Sequence, residues 1–287
     1  MKRQHLRSRI PEQGIALIAV LWIVAALSIV VTGVVQSVRS EVRLVSGARQ
    51  TIESIALGEA AINLVLQDMV AHSERSARFT QFPVSYRGHS MVVESMPLTG
   101  LIDINKASMP LLAKLYAVAG GLDRPAAQAL AEATVQTRSE RTANGRETGF
   151  EAVQDLLRVP GLEYGLYARL SRLITAEESR GGGLVNPLAA PQEVLAVLAD
   201  GNTALANVLA ARRASGATDI DTSALPKEFI GDTVSSRYRL QALIALPDGS
   251  HAVVSRSVEL RPNARLGLPW RIFNAEYWMQ GAPPQGV

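Results

Sequence analysis

An uninterrupted apolar run directly behind a short basic segment constrains this chain more than any other feature. From Ile15 to Val35 there are 21 residues with no charge and nothing more polar than Trp22, Ser28 and Thr32. As a helix the run covers roughly 31 Å, enough to cross the hydrocarbon core of a bilayer. Residues 1–14 contain Lys2, Arg3, Arg7 and Arg9 and no apolar core. A secretory signal places its apolar region before a small-residue cleavage site, and here the order is reversed. The basic end is expected on the cytoplasmic side, which puts everything after Val35 on the other face. A plain signal anchor that is never cut accounts for the same pattern, so periodicity alone leaves processing open.

The junction Gln13-Gly14-Ile15-Ala16-Leu17 resembles that of type IV pilin-like proteins. In that family a prepilin peptidase cuts after the glycine and methylates the new N-terminus. The resemblance therefore implies a leader over 1–14, cleavage at Gly14 and a mature N-terminus at Ile15. Most pilin-like proteins carry glutamate at the fifth mature position, and this chain has Ala19 there. A carboxylate in lipid is costly unless paired, and in pilins it is thought to meet the N-terminal amine of a neighbouring subunit. Its absence, together with the run ALIAVLWIVAAL from Ala16 to Leu27, resembles the K-type minor pseudopilins of the type II secretion system.

Beyond the apolar run the pattern stays helical. Val38, Val42, Val45, Ile52, Ile55, Ile62, Val65, Leu66 and Met69 recur at helical spacing with charges interleaved, which predicts one helix over about 15–71. Strand character follows at 83–87 and 90–96 around a turn at Gly88-His89, with a third short strand at Leu101 to Ile104. Near the other end, Tyr238, Leu240, Ala242, Ile244 and Leu246 alternate with polar residues. Pro247-Asp248-Gly249-Ser250 supplies a turn, and Ala252, Val254, Val258 and Leu260 alternate again, the pattern of a hairpin. With strands at both ends and helical patterning between, the expected fold class is α+β. It combines a long N-terminal transmembrane helix with a pilin-like antiparallel sheet interrupted by a large all-α insert of helix-hairpin-helix or SAM-like type. The expected divisions are a leader (1–14), the membrane part of the helix (15–35), the periplasmic helix with the first strands (36–104), the insert (105–228) and the C-terminal strands (229–287).

The insert contains an approximate repeat. Ile104-Asn105-Lys106-Ala107-Ser108-Met109-Pro110 and Val185-Asn186-Pro187-Leu188-Ala189-Ala190-Pro191 each place an asparagine five positions before a proline, with a helix following. Helix-start chemistry accounts for this, with Asn or Ser as caps and proline in the first turn. The run from Phe150 to Leu162 and the segment Tyr167-Ala168-Arg169-Leu170 also resemble the tandem helix-hairpin-helix units of competence DNA receptors. Such units hold phosphates on glycine-rich hairpins backed by basic residues. Here the hairpins are Val118-Ala119-Gly120-Gly121-Leu122 and Pro160-Gly161-Leu162-Glu163-Tyr164-Gly165. Glu163 would face the phosphate, and Arg158 and Arg169 stand without a dense basic stripe. No nucleic-acid partner is expected, and the formal net charge of +3 demands none.

Catalytic parts are missing. Cysteine is absent, which removes disulfides, thiolate metal sites and cysteine nucleophiles. His5, His72, His89 and His251 lie far apart, and there is no nucleophile elbow, Walker A loop or dinucleotide fingerprint. Asp219 and Asp221 in TDIDTSALP are weak candidates for calcium, with solvated loop acids or a helix cap as the plainer reading; Asp200-Gly201-Asn202 is weaker still. No cofactor is certain, and calcium enters only through the family resemblance. Trp270, Phe273, Tyr277 and Trp278 either close over the sheet or form a partner surface, and their spacing does not decide.

The K-type resemblance spans anchor, interrupted sheet, insert and terminal hairpin. It implies a non-enzymatic, single-pass protein of a bacterial inner membrane with its globular part in the periplasm. Its partners would be the I-type and J-type minor pseudopilins, the major pseudopilin and the prepilin peptidase. A membrane-anchored DNA-binding protein of a competence system and a minor tip pilin of a type IV pilus are the competing readings.

Overall fold

The computed structural model describes residues 13–72, 77–140, 148–177, 181–217, 219–261 and 267–281. The chain divides into two compact units, Met1–Ser54 and Ile55–Val287. A single helix, α1, runs Gln13–Ala71 without a break at Gly33, Gly47 or Gly58. In the first unit its large apolar side chains between Leu17 and Val31 are 55% to 74% exposed. The two hydroxyls in this stretch are satisfied within the helix. Ser28 Oγ donates to the Val24 carbonyl at 2.8 Å and Thr32 Oγ1 to the Ser28 carbonyl at 2.7 Å, the i−4 bond that serine and threonine hydroxyls commonly make in a helix.

The second unit holds the end of α1, two sheets and the remaining helices. Strands β1 (Thr80–Tyr86) and β2 (His89–Pro97) form a hairpin. The tight turn sits at Arg87-Gly88, with φ of 50° and 80°, and not at Gly88-His89. Two consecutive left-handed residues suit the twist of a two-residue hairpin, and glycine takes the second position at no steric cost. The chain then leaves the sheet. Leu101 to Ile104, expected as a third strand beside them, contributes instead β3 (Ile102–Asp103), paired in parallel with β4 (Ile174–Thr175) in a separate two-stranded sheet. Between and beyond these lie α2 (Met109–Lys114), a π-helical segment Leu115–Ala119, α3 (Arg124–Ser139) and a 3₁₀ segment Val153–Arg158. Helices α4 (Tyr164–Leu170), α5 (Gln192–Leu198) and α6 (Thr203–Ala214) complete the insert. The chain returns as β5 (Arg237–Ala245), β6 (His251–Leu260) and β7 (Trp270–Gln280). The main sheet has the order β1-β2-β5-β6-β7, antiparallel throughout.

Each face of this sheet is covered by a different partner. Tyr238, Leu240, Ala242 and Ile244 of β5 and Val254 and Val258 of β6 pack on Leu57, Ala61, Ile62, Val65 and Leu66 of α1. That spacing is one helical stripe against alternate strand positions, and each fully buried Ile or Leu contributes about 1.5–3 kcal/mol. The alternate side chains of β5 point to the opposite face, where Arg239 donates to the carbonyls of Arg172 and Ile174, both at 3.1 Å. The insert has a core of its own, with Leu111, Leu112, Leu115 and Tyr116 packed among Leu156, Leu170, Ile174, Val194 and Leu198.

Candidate functional site

The junction at Gly14-Ile15, where the sequence leads one to expect processing, falls on the first turn of α1. Gln13 is the first helical residue, so Gly14 and Ile15 continue as helix backbone. Residues 1–12, including His5 and the four basic residues, lie outside the described residues. Ala19 is an exposed position within the apolar stretch.

The two hairpins of the insert turn through a left-handed backbone that favours glycine, Gly121 at φ 70° and Gly161 at φ 85°. The amides of the first hairpin are already engaged, as is that of Leu162 in the second. Gly120 N–H donates to Leu115 O at 3.1 Å, Gly121 N–H to Ala117 O at 3.1 Å and Leu122 N–H to Tyr116 O at 3.2 Å, while Leu162 N–H donates to Val159 O at 3.1 Å. Arg169, a candidate phosphate ligand, donates to the Gly120 carbonyl at 2.9 Å. One of its donors thus ties the α4 segment to the first hairpin. Glu163 occupies the N-cap position of α4 without bonding to it, setting a carboxylate where a phosphate would approach. Anion binding needs amides pointed at the ligand and unopposed positive charge; the first hairpin's amides are spent within the fold and Glu163 opposes an anion at the second.

The paired asparagines of the repeat are not helix caps. Helix α2 begins after Ser108, with proline in its first turn, and α5 after Pro191, and in both no side chain caps the end. Asn105 instead ties three segments together. Its Nδ2 donates to Phe150 O at 2.8 Å and Ala176 O at 3.0 Å, and its Oδ1 accepts from Phe150 N–H at 2.8 Å. Buried Asn186 plays the corresponding part, with Nδ2 donating to Ala77 O and Thr233 O, both at 3.4 Å, and Oδ1 accepting from Leu188 N–H at 3.0 Å. A primary amide has donors and an acceptor on one planar group, so it can close loops that helix caps cannot reach.

Arginines bind the insert to its surroundings in a way that sequence reasoning missed. Arg138 donates to Ile104 O and Ala107 O, both at 2.9 Å, Arg78 to Ala217 O at 2.7 Å, and Arg213 to Ala190 O while its guanidinium lies 4.7 Å from the Phe79 ring centre. Burial pulls the Arg213 pKa down to about 10, and it lowers that of buried Arg239 as well. Each guanidinium replaces its lost water with carbonyl acceptors. No spacing rule marks an arginine destined for a carbonyl, which is why the pattern was invisible.

The calcium candidates do not converge. Asp219 and Asp221 are exposed. Asp221 accepts from Ser223 N–H at 2.9 Å, and hydrogen bonds from the Ser223 hydroxyl and amide hold its carboxyl below the usual range. That is the geometry of an Asx turn. Among the described residues, no group of three His, Cys, Asp or Glu side chains comes close enough to share an ion. His72 pairs with Asp68 on α1 at 2.9 Å, while His89 and His251 open β2 and β6.

The C-terminal aromatics divide between the two faces of β7, a strand that the sequence left unread. Trp270 and Tyr277 pack against the core shared with α1. Phe273 joins Met96, Leu98 and Leu101, with the Arg237 guanidinium 5.7 Å from its ring centre. Trp278 lines a cleft of about 590 Å³ between sheet and insert.

No family model matches this sequence, and no curated protein matches it. Among solved structures, the chain is similar to one in the crystal structure of the GspK-GspI-GspJ complex from the type 2 secretion system of enterotoxigenic Escherichia coli. The two are 14% identical with a TM-score of 0.48, and the alignment covers 83% of this chain and 99% of that one.

Proposed function

We propose that this chain is a K-type minor pseudopilin of a type II secretion system, a structural subunit and not an enzyme. The observation that carries the reading is the state of α1. Large apolar side chains from Leu17 to Val31 are all more than half exposed, a surface that water does not tolerate and a bilayer or bundle of like helices does. The last turns of α1 are core residues of an antiparallel sheet, the plan of a pilin-like subunit. On this reading a prepilin peptidase removes the leader at Gly14. Ile15 becomes the methylated N-terminus, and residues 15–35 anchor the protein in the inner membrane with the sheet and insert in the periplasm. Ala19 removes the acid that docks a subunit beneath an earlier one, and the insert adds bulk beside the sheet. Both suit a subunit that initiates or caps a filament with the I-type and J-type minor pseudopilins and the major pseudopilin. The filament would then push exported proteins through the outer membrane. The occupied hairpin amides and Glu163 weigh against the DNA-receptor reading.

The test is intact-protein mass spectrometry after co-expression with a prepilin peptidase. The expected product starts at Ile15 and carries one added methyl group. An intact leader under conditions that process a control pseudopilin would refute the reading. A processed chain that cross-links only to pilins of a retractable type IV pilus, and not to I-type and J-type pseudopilins, would transfer it to the tip-pilin alternative.

A further inference from the structure

The cleft between the sheet and the insert has the makings of a binding site that the structural role does not use. Its floor comes from the sheet face opposite α1. Gln241 of β5 stands there between Glu94 of β2 and Ser255 of β6, and in the next row Leu243, Val253 and Trp278 lie side by side across β5, β6 and β7. The insert supplies the opposite wall, with Val118 and Ala119 of the π-helical segment and the side chains of Arg169, Arg172 and Glu193.

Gln241 is the telling residue. The residue is only 8% exposed, and it lines the cleft. Among the described residues its amide makes no hydrogen bond, and it is not one of the fully enclosed polar groups, so its polar atoms stay open to the cleft. A polar group that faces a cleft with no protein partner is available to a ligand. Leu or Met would fill the volume.

We infer that this cleft binds a neutral saccharide, one or two pyranose units held against Trp278 with the Gln241 amide bonded to the sugar. The charges select for a neutral ligand. Glu94 and Glu193 are matched by Arg169 and Arg172 on the same cleft, so neither an anion nor a cation is favoured as a whole. The hydrogen-bonding groups span acceptors only (carboxylates), donors only (guanidinia) and both (the amide). A ligand that satisfies all three must present donors and acceptors around its rim, and Trp278 with the aliphatic row beside it demands an apolar face. A pyranose has both, with hydroxyls around its edge and C–H bonds on its face. The volume of about 590 Å³ lies within the range of small-molecule sites.

The test is saturation-transfer NMR on the full chain in lipid nanodiscs, avoiding glycosidic detergents. Chitotetraose and maltotetraose serve as saccharide probes and a blocked Ala-Val-Ala tripeptide as the peptide probe. The expected result is saturable transfer to the ring protons of one saccharide. Trp278→Ala should abolish it, and Gln241→Leu should weaken binding at least tenfold while leaving the melting temperature unchanged or higher. That combination separates a ligand contact from a structural one, because a structural glutamine would lower the melting temperature when replaced. Transfer to the tripeptide alone would overturn the proposal in favour of a peptide site. No transfer to any probe at millimolar concentration, or binding unaffected by Gln241→Leu, would overturn it outright.

Discussion

At Gly58 α1 passes close against the sheet, and replacing the glycine sets two effects of opposite sign against each other. A Cβ at this position would lie 2.5 Å from Val254 Cγ2, 2.7 Å from Val254 Cβ and 3.1 Å from Ile244 Cδ1. Helix propensity alone predicts that Gly58→Ala stabilises by about 1 kcal/mol. Overpacking costs about 1–3 kcal/mol. The upper end applies, because Val254 is β-branched and fixed in a central strand, so its Cβ cannot rotate away. The net expectation is a loss of about 2 kcal/mol, or roughly 4–8 °C in melting temperature for a unit of this size. The assay is thermal unfolding of the full chain in detergent, followed by near-ultraviolet circular dichroism. The decisive arm is the same change in a Val254→Ala background. There the nearest obstructing atom, a Cγ methyl, is gone while the Cβ at 2.7 Å remains, so Gly58→Ala should cost clearly less than it does in the parent. A variant Gly58→Ala that melts at or above the parent, or that costs as much in the Val254→Ala background as in the parent, would refute the close approach as the reason for the glycine.

Two further outcomes rest on the insert. Asn105→Ala deletes three hydrogen bonds to Phe150 and Ala176 and should cost about 2–4 kcal/mol; hydrogen exchange should show the Phe150 amide losing protection first. Tyr116 is buried with its hydroxyl 2.7 Å from Thr134 Oγ1, and burial pushes its pKa up to about 12. Below pH 10 both folded and unfolded chains keep this proton, so it contributes nothing to pH dependence. Between pH 10 and 12 the unfolded chain loses the proton first, and stability falls by about 1–3 kcal/mol across that window. Arg213 titrates in the same region with the opposite sign, so the quantity to measure is the difference between the parent and Tyr116→Phe. A difference that stays flat from pH 9 to 12 would show that Tyr116 ionises freely.

Where a residue's neighbours in sequence decide its environment, the fold was legible. The unbroken run after Gly14 and the spacing of Ile55, Ile62, Val65 and Leu66 define α1 almost to its ends. The alternation around Pro247-Asp248-Gly249-Ser250 defines the β5–β6 hairpin, which closes with Ala245 opposite His251. Elsewhere tertiary contacts override the local pattern. Strand β7 reads as a cluster of aromatics because it is an edge strand with side chains contributing to two different surfaces, which masks a simple alternation. Ile102 and Asp103 have strand character, but their partner is Ile174, 72 positions away. Asn105 and Asn186 sit where caps are common, and their actual acceptors come from segments that no local rule brings near. Trp278 was legible as an aromatic of interest, whereas Gln241 was one polar residue in an alternating strand. Only its place in the cleft, with no protein partner for its amide, marks it out.

The position of the insert explains how so large a helical unit can interrupt a sheet without breaking it. The chain leaves the main sheet at the end of β2 and returns at the start of β5, and those two strands are paired, with Pro97 opposite Tyr238. Entry and exit are therefore one strand spacing apart, about 4.8 Å, and the sheet sees the insert as an enlarged hairpin loop. Loop-closure entropy rises only with the logarithm of loop length, so the cost to the sheet is modest provided the insert carries its own core, and Leu111, Leu115, Leu156 and Leu198 supply one. What remains is to hold the two bodies in register. Arg239 does this from the sheet side by donating to carbonyls at 172 and 174, and Asn186 does it from the insert side by reaching Ala77 and Thr233. A loop tethered at one hairpin and at these two points can vary its outer surface freely.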